Sequence, residues 1–179
     1  MKSTELLKQD HKIILRSLDV LEEIAAKVHM GERPNPQDVE SMLRFLRVFE
    51  DEHHQTKEES ALFPELMSCA QSEQRSLRQM LFEHDQERSL VEGLEEAVRT
   101  EKGIDFVGYT HRLCSILISH VYKEDHILFD IIEHSFSGEQ DEKVVAEFKK
   151  FDESLGAERK RGLLENLGRL EGKYLRKSA

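Results

Sequence analysis

The sequence contains few of the residues that interrupt or cross-link a chain. Its 179 residues include three Pro, nine Gly, two Cys and no Trp, while 35% are charged. This composition favours helices over a turn-rich β architecture. Cys69 and Cys114 stand alone, so the sequence indicates neither a disulfide framework nor a Cys-x-x-Cys motif. We expect both to be small hydrophobic core residues.

Excess basic charge and long apolar runs are also lacking. The net charge of −10 argues against nucleic acids and anionic membranes as main partners. No stretch approaches the roughly 18 apolar residues of a membrane span, and the N-terminus lacks the apolar run of a secretory signal. We therefore expect a soluble protein of the cytoplasm.

Apolar residues recur with helical spacing in four long segments, about residues 3–30, 36–68, 73–100 and 105–134. We expect Pro64 to bend or close the second helix. The short links predict an all-α fold, an antiparallel up-down-up-down four-helix bundle over residues 1–136. Residues 137–179 contain two shorter amphipathic segments, which predict a C-terminal helical appendage packed against the end of the bundle.

One motif occurs twice, as His54-x-x-Lys57-Glu58-Glu59 and as His120-x-x-Lys123-Glu124-Asp125, and each copy continues to Leu-Phe. Helical residues four apart lie on one face, so each copy presents an imidazole together with a carboxylate. His11 and His84 extend the repeat, because each precedes a Leu-Glu-Glu sequence by ten residues. Helices one and two therefore repeat helices three and four.

In an up-and-down bundle these side chains reach roughly one level. Each His alone could be a hydrogen-bonded core residue, and the Lys–Glu pairs could be solvated helix faces. A buried group of imidazoles and carboxylates is costly, however, unless a cation joins it. We predict a site for two metal ions, formed by His11, His54, Glu58, His84, His120 and Glu124.

The other five His residues lie on a different helix face or at a different level of the bundle. We expect that none of them binds metal: His29, His53, His111, His126 and His134. Mixed imidazole and carboxylate ligands suit iron or manganese, and zinc is also compatible.

The two repeated motifs, together with Asp10-His11 and Glu83-His84, resemble the hemerythrin-like family, the HHE cation-binding domain, over about residues 3–136. The resemblance implies a non-haem di-iron centre bridged by two carboxylates and an oxo or hydroxo group. Glu58 and Glu124 would be the bridges. The terminal ligands would be His11 and His54 for one ion, and His84 and His120 for the other.

The oxygen-carrying members have two His four apart on the third helix, whereas Met80 and Arg88 flank His84 here. They also use an Asp five residues after the last His, the position of Asp125, although Glu124 has the better spacing. The chain is more similar to members with four His and two Glu, which are linked to nitric oxide, peroxide or iron handling.

The sequence supports three hypotheses. The protein binds or senses O2, NO or related oxidants, or handles iron. Alternatively, it is an oxidoreductase that turns over peroxide, NO or peroxynitrite, which leaves an electron-donor protein open as a partner. In the third, the ions are structural within a helical adaptor. The sequence leaves the oligomeric state and the roles of Asp125, His53 and Cys69 open.

Overall fold

The computed structural model describes residues 1–175, which are almost entirely helical and contain no strand. The eight α-helices are α1 (Lys2–His29), α2 (Pro36–Phe45), α3 (Phe63–Cys69), α4 (Gln74–Arg99), α5 (Gly103–Lys123), α6 (Phe129–Ser135), α7 (Gly138–Leu155) and α8 (Ala157–Tyr174). Three π-helical segments are π1 (Leu46–Gln55), π2 (Glu58–Leu62) and π3 (Glu124–Leu128), and a 3-10 turn spans Gln71–Glu73. The predicted all-α bundle is confirmed, while its up-and-down order stays a prediction.

Two of the four long helices are composite. Helix α2, π1, π2 and α3 form one unbroken helical unit, and α5, π3 and α6 form another. Asn35 starts the first unit, because its side chain accepts a hydrogen bond from the Gln37 N–H while Pro36 occupies the first turn. Pro64 was expected to bend or close this unit. It does not close the unit, because the helix continues to Cys69.

A polar layer divides the hydrophobic core into two clusters. The larger cluster joins α1, α2, π1, α4, α5, the end of α7 and α8, and the smaller joins the starts of α1 and α4 with π2, α3, π3, α6 and α7. On α1, Leu7 belongs to the smaller cluster and Ile14 to the larger one, with His11 between them. The predicted ligands therefore lie between two apolar regions that bury them.

Helices α7 and α8 run along the side of the bundle, not against its end as expected. At the start of α7, Asp141 accepts a hydrogen bond from the Ser3 N–H at 3.0 Å. Further along α1, Arg16 donates to Glu171 of α8 at 2.6 Å. The apolar face of α8 joins the larger core cluster through Leu163, Leu167 and Leu170. The boundary between a bundle of residues 1–136 and an appendage stays a prediction.

Some apolar residues of the bundle helices are exposed. Leu81 and Ile127 are 38% and 53% exposed because Met80 and Leu128, one position away, occupy the inward face. Cys69 was expected in the core but is exposed at the last position of α3, whereas Cys114 is buried as predicted. Among residues 1–175, no helix combines the length and the apolar character that a membrane span requires.

Candidate metal centre

The structure brings all six predicted residues together. Their side chains come from α1, π1, π2, α4, α5 and π3, and none is more than 3% exposed. They form two groups whose ligand atoms lie within 4.8 Å of one another. The first half-site is His11 and His54 with Glu58 and Glu124, and the second half-site is His84 and His120 with the same two Glu. The shared carboxylates therefore lie between two pairs of imidazoles.

The oxygen atoms of Glu58 face opposite half-sites. Its Oε1 lies 3.4 Å from His54 Nε2, and its Oε2 lies 3.4 Å from His84 Nε2. Two ligand atoms about 2.1 Å from one ion would be about 3.0 Å apart at a right angle and about 3.4 Å apart at a tetrahedral angle. The observed spacing therefore suits one cation on each side of the carboxylate.

Glu124 occupies the corresponding position on the other side of the site. Its Oε2 lies 3.1 Å from His11 Nε2 and 3.4 Å from His120 Nε2. All four carboxylate oxygens of Glu58 and Glu124 are buried without a hydrogen-bond partner among residues 1–175, as is His11 Nε2. Buried polar atoms without partners are rare and costly. A pair of cations would satisfy these atoms, so the residues present fit a dinuclear metal site.

Each shared Glu is the first residue of a π-helical segment, Glu58 of π2 and Glu124 of π3. A π-helical turn contains an additional residue, which shifts the later side chains around the helix, and such turns are frequent at functional sites. No sequence pattern indicated this backbone. The Leu-Phe end of each repeated motif has a clear role, since Phe63 stacks on His84 and Phe129 stacks on His11.

Carboxylates also contact the outward-facing nitrogens of the imidazoles. His11 Nδ1 lies 2.7 Å from Asp125, and His84 Nδ1 lies 2.7 Å from Glu59. His120 Nδ1 lies 2.9 Å from Glu83. Such contacts fix the orientation of a metal-binding His and increase its basicity. The role of Asp125, open at the sequence level, is thus contact with His11, and the equivalent position Glu59 contacts His84.

His54 differs from the other three imidazoles. The distance from its Nδ1 to the nearest Asp10 oxygen is 3.8 Å, and this nitrogen has no hydrogen-bond partner. Asp10 instead accepts a hydrogen bond from Lys57 at 3.1 Å. The sequence could have indicated Asp10 and Glu83, because each directly precedes a proposed ligand, His11 or His84, on the same helix.

The electrostatics of the site favour positive charge. Burial lowers the pKa of His11, but the nearby carboxylates of Asp125 and Glu124 outweigh burial and raise this pKa to about 9. Burial likewise lowers the pKa of His84, while the nearby carboxylates of Glu58 and Glu59 raise it to about 10. The carboxylates therefore attract a proton to these nitrogens, and a metal ion would compete with protons for the same lone pairs.

A second buried polar cluster lies beside His120 and was missed at the sequence level. The side-chain amide of Gln55 donates to Glu50 and, at 2.7 Å, to Glu87. Glu87 Oε1 lies 3.9 Å from His120 Nδ1. Burial raises the pKa of Glu87 to about 7, although the charges of His120 and His84 lower it. Its position three residues after His84, on the same helix face, could have indicated its proximity to the site.

The five remaining His residues lie outside both groups of ligand atoms. Four are exposed: His29, His111, His126 and His134. His53 is buried, but its Nε2 contacts Asp152 of α7 at 2.7 Å and points away from the site.

The comparisons with known proteins agree with this geometry. A family model described as the hemerythrin HHE cation binding domain matches residues 2–132. Comparisons with curated proteins and with solved structures give no significant match. The matched range contains all six clustered residues and ends before α7. The clustered His and Glu side chains and this match point to a metal-binding site, and the chain belongs to the hemerythrin HHE cation-binding domain family.

Proposed function

We propose that this protein is a non-haem di-iron protein that binds or senses O2, NO or related oxidants, or handles iron. The main support for this proposal is the arrangement of two imidazole pairs around the same two buried carboxylates, Glu58 and Glu124. We propose His11 and His54 as terminal ligands of one ion, and His84 and His120 as terminal ligands of the other. When bound, two iron ions would supply reversible redox chemistry and positions for a small ligand.

We propose iron as the metal, and the donor set is compatible with it. Each ion would have two imidazoles and one oxygen from each bridging carboxylate, a mixed set that suits iron or manganese. Four protein ligands would close a tetrahedral zinc site but leave positions open on an ion that prefers six. The position four residues before His84 is Met80, which packs in the core. Four residues after it is Arg88, which contacts Glu59 and Asp51. Neither adds a ligand.

The surroundings of the site support a small ligand. All six side chains are buried, so only a small molecule could reach the ions without a rearrangement of the helices. A groove of about 340 Å³ lies between α4 and α5. It is lined by residues other than the six proposed ligands, including Phe82, Tyr109 and Arg112. We propose a diatomic gas or peroxide as the ligand, and the cytoplasm as the place of action.

The test is anaerobic loading with Fe(II), followed by exposure to oxygen, peroxide and NO in separate samples. Metal analysis should give about two ions per chain, and one ion or none would contradict the dinuclear proposal. Absorption spectra should change with oxygen and then develop irreversibly towards an autoxidised form, because no fifth His completes the second half-site. The zinc-loaded protein is the redox-inactive control.

Other outcomes separate the alternatives. Spectra that reverse over hours when oxygen is removed would support an oxygen carrier. Sustained consumption of peroxide or NO in the presence of a reductant would support the oxidoreductase. Identical spectra after exposure to oxygen, peroxide and NO would identify the ions as structural.

A further inference from the structure

Helix α7 contributes a charged side chain to the surroundings of the first half-site, although α7 lies beyond the part of the chain that matches the family. Asp152 Oδ1 lies 3.0 Å from Lys57 Nζ and 2.7 Å from His53 Nε2. Lys57 belongs to the repeated motif and lies between His54 and Glu58. The contact therefore connects a C-terminal helix to the segment that carries two of the proposed ligands.

Lys57 is buried because α7 covers it. Its side chain is 3% exposed, and it contacts carboxylates on two different helices, Asp10 of α1 at 3.1 Å and Asp152 of α7. A buried ammonium group is costly unless it is paired, so both carboxylates are needed to keep Lys57 inside. Lys57 therefore fixes the location of Asp10, and Asp152 contributes to this because it holds Lys57 in place.

Asp10 is the carboxylate closest to the outward-facing nitrogen of His54, at 3.8 Å. Lys160 of α8 completes the group at 3.9 Å from Asp10 and 3.6 Å from Asp152. Two lysines thus balance two aspartates beside His54.

We propose that Asp152 is a positioning residue for the metal centre: through Lys57 it fixes the location of Asp10, the carboxylate 3.8 Å from His54 Nδ1, and it keeps the charge next to the first half-site balanced. This inference rests on the proposed metal site. Loss of the Asp152 charge leaves an excess positive charge beside a cation site and frees Lys57 to move. Both effects weaken binding of the ion at His11 and His54.

Among residues 1–175, the second half-site has no equivalent of this helix. Within that part of the chain its counterpart lysine, Lys123, pairs with Glu83 alone, and its side chain is 29% exposed. Glu83 is already within hydrogen-bond distance of His120 Nδ1, at 2.9 Å. A change at Asp152 should therefore leave the second ion unaffected, and this selectivity distinguishes positioning from a general loss of stability.

The test is a stepwise titration with Co(II) against a competing chelator, followed by visible absorption, in the full-length protein and in Asp152→Asn. Loss of a contact that orients a metal ligand costs about 10- to 100-fold in affinity. We expect one ion to bind at least about tenfold more weakly with an altered ligand-field spectrum, while the other ion is unchanged. Asp152→Glu, which keeps the carboxylate, should restore most of the lost affinity.

The matched control is Glu171→Gln, which removes another carboxylate contact between α1 and the C-terminal helices, the pair with Arg16, away from the site. Its metal affinities should equal those of the unaltered protein. If Asp152→Asn does not fold, Asp152→Ser removes the same charge with a smaller side chain and carries the same expectation.

Three results would overturn the inference. Unchanged affinities and spectra in the folded Asp152 variant would show that the contact only supports the fold. Equal weakening of both ions would show that it acts through general stability. If the unaltered protein bound no ions, the proposed metal centre itself would fail and the inference with it, whereas the first two results leave the metal centre intact.

Discussion

The two half-sites come from the same repeated motif but have different surroundings. In the first, α7 covers Lys57, and His54 Nδ1 lacks a hydrogen-bond partner within residues 1–175. In the second, Lys123 reaches solvent and His120 Nδ1 contacts Glu83. The repeat thus provides equivalent ligands, while segments outside the repeat make the two ion positions unequal.

The buried polar cluster adds a second difference. Glu50, Gln55 and Glu87 lie next to the second half-site, and the repeat aligns them with Ile116, Val121 and Ile14. The corresponding position beside the first half-site is therefore apolar. The ions bound in the two half-sites should differ in affinity and in reactivity, although their ligands are identical in type.

The largest expected effect is the loss of both ions when a shared carboxylate is removed. Glu58→Ala should reduce metal content to near zero, because Glu58 faces both half-sites. Glu59→Ala should weaken only the second ion, by about tenfold, because Glu59 contacts His84 alone among the ligands. Metal analysis after dialysis checks both variants. Two retained ions in Glu58→Ala would contradict the bridging role.

The second prediction concerns pH. The folded-state pKa values of His11 and His84, about 9 and 10, are raised above the ordinary 6.5. In metal-free protein their protonation therefore stabilises the fold fully below about pH 6.5, and this stabilisation is lost as the pH rises through 9 to 10. Metal displaces these protons, so the stability gained from metal should grow across the same window.

Thermal melts of metal-loaded and metal-free protein check this at about pH 5, 7.5 and 9.5. These pH values span the range from below the ordinary pKa of His to the raised pKa values. The difference in Tm should be smallest at pH 5 and largest at pH 9.5. A difference that is constant from pH 7.5 upwards would show that the carboxylates do not hold protons on these imidazoles.

A third prediction makes the two sides of the site alike. The triple variant Glu50→Ile, Gln55→Val and Glu87→Ile copies the apolar residues that the repeat places beside the first half-site. Replacement of buried polar or charged groups by packed apolar ones is often stabilising by about 1–4 kcal/mol. We expect a higher midpoint in urea unfolding.

Glu87→Ile alone is the control for that variant, and it should destabilise because the Gln55 amide then loses a partner. If the triple variant unfolded earlier than the unaltered protein, the polar cluster would be a stabilising network.

The smallest effect is expected at His111, which lies on the exposed surface of α5 and contacts Glu22. His111→Ala should retain both ions and change the free energy of unfolding by less than about 1 kcal/mol, because exposed ion pairs contribute little. Metal analysis and urea unfolding measure both quantities. Loss of an ion would show that helical position does not identify the ligands.

Much of the site was predictable because it depends on local periodicity. His54 with Glu58, and His120 with Glu124, share a helix face by spacing alone, and the repeat identified His11 and His84 as their partners. Contacts that depend on the path of the chain were not predictable. Asp152 and Glu50 have no sequence pattern that connects them to these residues.

The sequence by itself determined the helical fold, the six residues that cluster and the family, because hydrophobic periodicity and i,i+4 spacing are properties of a single helix. Only the tertiary structure decided the π-helical turns at Glu58 and Glu124, the carboxylate contacts that three of the four imidazoles make, and the lateral position of α7 and α8. These features depend on packing between helices distant in sequence, where the burial of Lys57 or Glu87 is set by whichever segment covers it.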